Sequence, residues 1–162
     1  MVWFRRLCMA VGVTAALTVF AAPASAQVAY ALGGVEIAAE ETVGTFFGVA
    51  KSHDDIGTWW AVIVHEPLDD LVLITDGEFA IDGQVRDLHG SITAGTIEKL
   101  PGGSCSKERF AVTGEVLLDD SVTVGGFNVT LTHYGFSLPG GGCFTFFATV
   151  KGGIFFPTLE SP

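Results

Sequence analysis

Basic residues are scarce in this chain: 8 lysines and arginines stand against 18 aspartates and glutamates, a formal charge of −10 over 162 residues. Two of the cations, Arg5 and Arg6, precede an apolar run from Leu7 to Ala22 that ends in Pro23, Ala24, Ser25 and Ala26. This order reads as a secretory presequence, with Ala24 and Ala26 where signal peptidase requires small residues. Cleavage would leave Gln27 as the first of 136 residues, with six cations against 18 acids and a charge of −12. Such a surface repels phosphate backbones and anionic headgroups, so nucleic acid is not expected as a partner. No later apolar stretch is long enough for a membrane-spanning helix, and no membrane span is expected after cleavage. The expected location is secreted, periplasmic or at the cell envelope, and the composition looks bacterial.

Cysteine is equally sparse. Of three, Cys8 falls within the presequence, leaving Cys105 and Cys143 as one possible disulfide in an oxidising compartment. Closing that loop is worth roughly 3 to 4 kcal/mol by chain entropy. The two thiols form no CxxC, and no histidine lies near either in sequence, so neither a metal nor another cofactor is expected.

Helical periodicity is missing between the apolar runs, which leaves no crossover helix for a parallel βαβ unit. No Gly-x-Ser-x-Gly nucleophile motif occurs, and Gly140, Gly141 and Gly142 lead into a strand, not into the helix of a phosphate loop. The catalytic set is therefore empty.

What is abundant is the β signature. Runs rich in Phe, Val, Ile, Thr and Trp recur between Gly, Asp and Pro, predicting strands at 45–51, 58–66, 71–75, 78–81, 88–100, 108–118, 126–136 and 143–156, the last broken at Gly152 and Gly153. The paired aspartates at 54–55, 69–70 and 119–120 fall at predicted turns, where Asp ordinarily initiates the reversal. Alternation puts Phe127, Val129, Leu131 and His133 on one face, with Tyr134 on the other. It also groups Phe144, Phe146, Ala148 and Val150. One apolar face per strand implies a shared interior. The expected fold is all-β: an antiparallel up-and-down barrel of about eight strands, with a two-sheet sandwich as the alternative. Residues 1–26 form the signal peptide, 27–43 a lead-in that is either a short helix or a loose strand, and 44–162 a single barrel domain.

Histidines mark the candidate site. His133 points inward beside Leu131, and His65 ends a run in which Trp59, Ala61 and Ile63 share its face. The candidate ligand-binding set is His65, His133, Trp59 and Tyr134, for a small apolar ligand. The rival is a cyclase or isomerase using His133 with Glu66 or Tyr134 for acid and base work. Adjacent aromatic pairs such as Phe146–Phe147 face both ways along a strand, so one member of each should meet a ligand, a partner or a covering segment.

Gly57, Thr58 and Trp59 resemble the Gly-x-Trp motif of lipocalins, which implies a barrel holding small apolar ligands. The chain departs from that pattern because a strand precedes the motif and no arginine follows Arg109. In architecture it is similar to small exported barrels such as the dirigent and allene oxide cyclase families, with no shared motif. The expected role is a non-catalytic exported barrel, binding an apolar ligand inside or acting at the envelope through its outer face.

Overall fold

The structure is a computed structural model and describes residues 27–68 and 71–157. The expected presequence and the Asp69–Asp70 pair lie outside the described residues. Eight strands follow one another: β1 (Gln27–Ala39), β2 (Val43–Lys51), β3 (Ile56–Leu68), β4 (Leu71–Gly83), β5 (Asp87–Lys99), β6 (Glu108–Leu118), β7 (Val124–Ser137) and β8 (Cys143–Pro157). Each pairs antiparallel with the next, and β8 returns to β1, closing an up-and-down barrel. The β1–β8 ladder, from Gln27↔Pro157 to Val35↔Thr149, rules out the open sandwich.

Closure corrects three expectations. The stretch from Gln27 is no lead-in; it is β1, bonded on both edges, and the barrel starts there instead of at Gly44. Its alternation is faint because its outward positions hold Ala29, Ala31 and Gly33, which carry little side chain to read. The segments 71–75 and 78–81 form one strand. Asp76–Gly77 looks like a turn, but it follows a register shift opposite Val64/His65, and Gly77 is needed because a Cβ there would press on the Val62 carbonyl. These two differences cancel, which preserves the count of eight. Finally, β8 is continuous through Gly152 and Gly153, and its alternation fails at the other end. A register shift at Tyr134/Gly135 leaves Phe146 as the extra residue, so Phe144, Phe146 and Phe147 are all exposed while Ala148 and Val150 remain inside. They group with Tyr134 and Phe136 on the outer wall, where Phe136 lies 5.2 Å from Phe144 and 6.4 Å from Phe146 between ring centroids. Residues 27–39, being β1 in the wall, do not cover them.

The two ends of the barrel differ. At the end holding the β2–β3, β4–β5 and β6–β7 turns, Tyr30, Ile81, Val116 and Phe156 are each no more than 2 % exposed and fill the interior. Asp55, from the β2–β3 turn, seals this end: it accepts hydrogen bonds from the Tyr30 hydroxyl at 3.0 Å, Val85 N–H at 3.0 Å and Arg86 N–H at 3.2 Å. Gly83 makes room for that carboxylate. Burial works to raise the Asp55 carboxyl, yet these donors hold it below its usual value, and burial together with the bond to Asp55 pushes Tyr30 up to about 12. The turn reading of the Asp pairs thus holds at Asp55. It also holds at Asp120, whose carboxylate caps Val122 and Thr123.

Trp59 packs against a glycine window. Side chains at Gly34 or Gly48 would strike the indole and the neighbouring backbone, and the indole N–H donates to the Gly33 carbonyl at 3.2 Å. Gly48→Ala should therefore lower stability by about 1–3 kcal/mol through overpacking, measured by urea unfolding. Tyr30→Phe should cost about 1–2 kcal/mol for the lost buried hydrogen bond. Because the folded Asp55 pKa lies below 3.8, its stabilisation is present above that value and fades as pH falls through the folded one. Asp55→Asn should flatten that acid limb in pH-dependent melts.

Candidate functional site

Toward the opposite end the barrel is hollow. A cavity of about 290 Å³ runs up from Phe79, Phe127 and Ile154 to the mouth, where the β1–β2, β3–β4, β5–β6 and β7–β8 connections lie. Its walls are almost wholly apolar because the inward positions of β3, β6 and β7 carry Ala61, Ile63, Val112, Val129 and Leu131. Polar side chains gather only near the mouth, where Glu36, Glu40, His65 and His133 join the lining.

The alternation in β3 and β7 delivers both histidines to this one cavity, as their places in the sequence imply. His133 Nε2 lies 3.6 Å from the Glu36 carboxylate, too far for a hydrogen bond. The two residues project from β7 and β1 and meet across β8, where the inward residue at this level is Ala148. A large side chain at that position would hold them apart. The Phe110 ring packs on the imidazole at 5.0 Å, and Gly44 leaves room beside the Glu36 carboxylate. The Glu36 and His133 side chains are only 12 % and 25 % exposed.

Burial governs the protonation of this pair. It raises the Glu36 carboxyl above its ordinary value, and it lowers the His133 imidazole against the opposing pull of Glu108, so both are driven toward their neutral forms. His133 Nε2 and His65 Nδ1 are buried atoms without a hydrogen-bond partner among the described residues, and no donor there reaches Glu36. Unsatisfied buried polar groups are costly, and here they are concentrated at the mouth of an apolar cavity.

The remaining candidates separate. Trp59 lines the cavity, but its N–H is already engaged by Gly33, so it is wall rather than polar contact. Tyr134 is on the outside, stacked 6.0 Å from Phe147 with Lys107 Nζ 6.0 Å from its ring centre. Glu66 is exposed and does not line the cavity. Neither of the partners expected for His133 is therefore beside it; Glu36 is. The sequence pattern does not single out Glu36, because the alternation of the strand that carries it is faint. The inward series Tyr30, Leu32, Gly34 and Glu36 was the available signal, weakened by its glycine.

Cys105 and Cys143 are joined, with Cα atoms 5.2 Å apart, tying the β5–β6 connection to the start of β8 beside the mouth. That pairing is consistent with an extracytoplasmic location. Among the described residues no helix is long and apolar enough to cross a membrane. Comparison with known protein families, curated proteins and solved structures finds no match to this chain.

Burying Glu36 carries a cost that depends on pH. A carboxyl whose folded pKa is raised loses stability as pH climbs from the unfolded value near 4.5 through the folded one, so ionised Glu36 destabilises the barrel at neutral pH. Glu36→Gln should melt higher than the unaltered protein at pH 7, and this advantage should vanish below the ordinary carboxyl value. Paired scanning-calorimetry melts at the two pH values check this.

Proposed function

We propose that this protein binds a small, largely apolar molecule inside its barrel, outside the cytoplasm. The observation that carries the reading is a hollow interior whose wall is apolar and whose unsatisfied polar atoms are confined to one end. A closed wall excludes water from the body of a guest, and polar groups at the mouth orient its head, which is the usual division of labour in small-molecule pockets. At about 290 Å³ the cavity lies just under the usual range for such sites, roughly 300–1,000 Å³, which favours a compact guest or a single short chain. Export rests on the presequence read at residues 1–26, with the joined Cys105 and Cys143 as the supporting feature. Placement in the periplasm, at the envelope or in the medium would follow from that export. The exposed Phe136, Phe144, Phe146 and Phe147 support a second role for the outer wall, as a contact surface at the cell envelope.

The binding reading is tested with prodan, a neutral dye whose fluorescence shifts blue in an apolar site. The purified protein should produce a saturable blue shift. Ala61→Phe, which places a ring in the cavity, should weaken binding at least about tenfold, equivalent to about 1.4 kcal/mol, while the melting temperature holds or rises. An unshifted spectrum at high protein concentration, or equal binding by Ala61→Phe, counts against an interior site.

A further inference from the structure

We infer that the cavity is specific for a neutral guest bearing a hydroxyl group, whose oxygen bridges Glu36 and His133. This rests on the interior-binding reading and adds the chemical class of the guest. The gap between the Glu36 carboxylate and His133 Nε2 is 3.6 Å. Once a small side-chain rotation uncovers Nε2, which is buried here, an oxygen placed off the line between them reaches both at ordinary hydrogen-bond length, about 2.8 Å. A hydroxyl is suited to this position because it donates and accepts through the same atom. With Glu36 protonated and His133 neutral, the carboxyl donates to the hydroxyl oxygen and the hydroxyl donates to Nε2. With Glu36 ionised, the hydroxyl donates to the carboxylate and accepts from whichever imidazole form carries a proton on Nε2. Either arrangement satisfies the orphaned Nε2.

Other head groups leave a partner unmet. An ether oxygen accepts but does not donate, so it satisfies neither an ionised Glu36 nor an Nε2 without a proton. A carboxylate brings a second negative charge against Glu36 in a site that is 12 % exposed, with Glu40 also lining the mouth and Glu108 facing His133 across the β6–β7 ladder. A plain hydrocarbon leaves both groups buried without a partner. Sites built to hydrogen-bond a hydroxyl discriminate sharply against analogues that lack one, for this reason. The apolar depth below the mouth, from Leu131 and Ile63 down to Phe127, takes the hydrocarbon part.

The test is displacement of bound prodan at pH 7 by four octyl compounds: octyl alcohol, octyl methyl ether, octanoate and octane. Octyl alcohol should displace the dye at concentrations at least about tenfold lower than the ether or octanoate, in line with one well-formed buried hydrogen bond. In Glu36→Leu the alcohol and the ether should become equivalent. Glu36→Gln keeps the shape and both hydrogen-bonding senses, so it should retain the preference for alcohol over ether while binding octanoate more tightly than the unaltered protein does. If the ether matches the alcohol in the unaltered protein, a bound water fills the bridge and the inference falls, although interior binding stands. Octanoate binding more tightly than the alcohol overturns it as well. If prodan is not bound at all, the interior-binding reading fails, and this inference fails with it.

Discussion

The pairing of β1 with both β2 and β8 is the constraint from which the rest of the molecule follows. A sheet that closes on itself has no free edge, so every strand interior finds its backbone partners within the wall and each inward side chain is committed to a common space. Closure also decides which distant residues become neighbours. Glu36 and His133 are almost a hundred positions apart in the chain, yet they face each other across one strand because β8 lies between their strands.

Inside the wall, the two ends resolve the same problem of buried polarity in opposite ways. At the closed end Asp55 is surrounded by donors from Tyr30, Val85 and Arg86, and burial there is compensated. At the open end Glu36, His65 and His133 line a cavity that provides no such donors, and His65 Nδ1 and His133 Nε2 are left without a partner among the described residues. Packing is complete where the interior is full, while the mouth carries the cost of buried polar atoms without partners. The Cys105–Cys143 link limits how far two of the rim connections can separate, which helps a partly empty barrel keep its mouth in shape.

Much of the fold was legible because strand periodicity is a local property. The inward series Phe127, Val129, Leu131, His133 and Trp59, Ala61, Ile63, His65 needed only the two-residue repeat, and both lie along the cavity as the repeat implies. Legibility ended where local rules are broken by bulges and glycines. The extra residue at Phe146 turns two successive phenylalanines outward, which no strict alternation contains. The glycine at position 77 that resembles a turn is instead a point of close backbone contact within β4. In β1 the outward residues are small enough that strand and loop read alike, and with that strand went the partner of His133.

The amino-acid order alone determined that the barrel domain is all-β, that Cys105 can pair only with Cys143 once Cys8 is set aside, and that two histidines share the inward face with apolar residues. These follow from composition and from side-chain direction along a strand. The tertiary structure decided that the barrel closes through β1, that its interior is filled at one end and empty at the other, and that Glu36 rather than Glu66 or Tyr134 stands beside His133. Those outcomes depend on register and on strand order around the barrel, and both arise from hydrogen bonds between segments far apart in the chain.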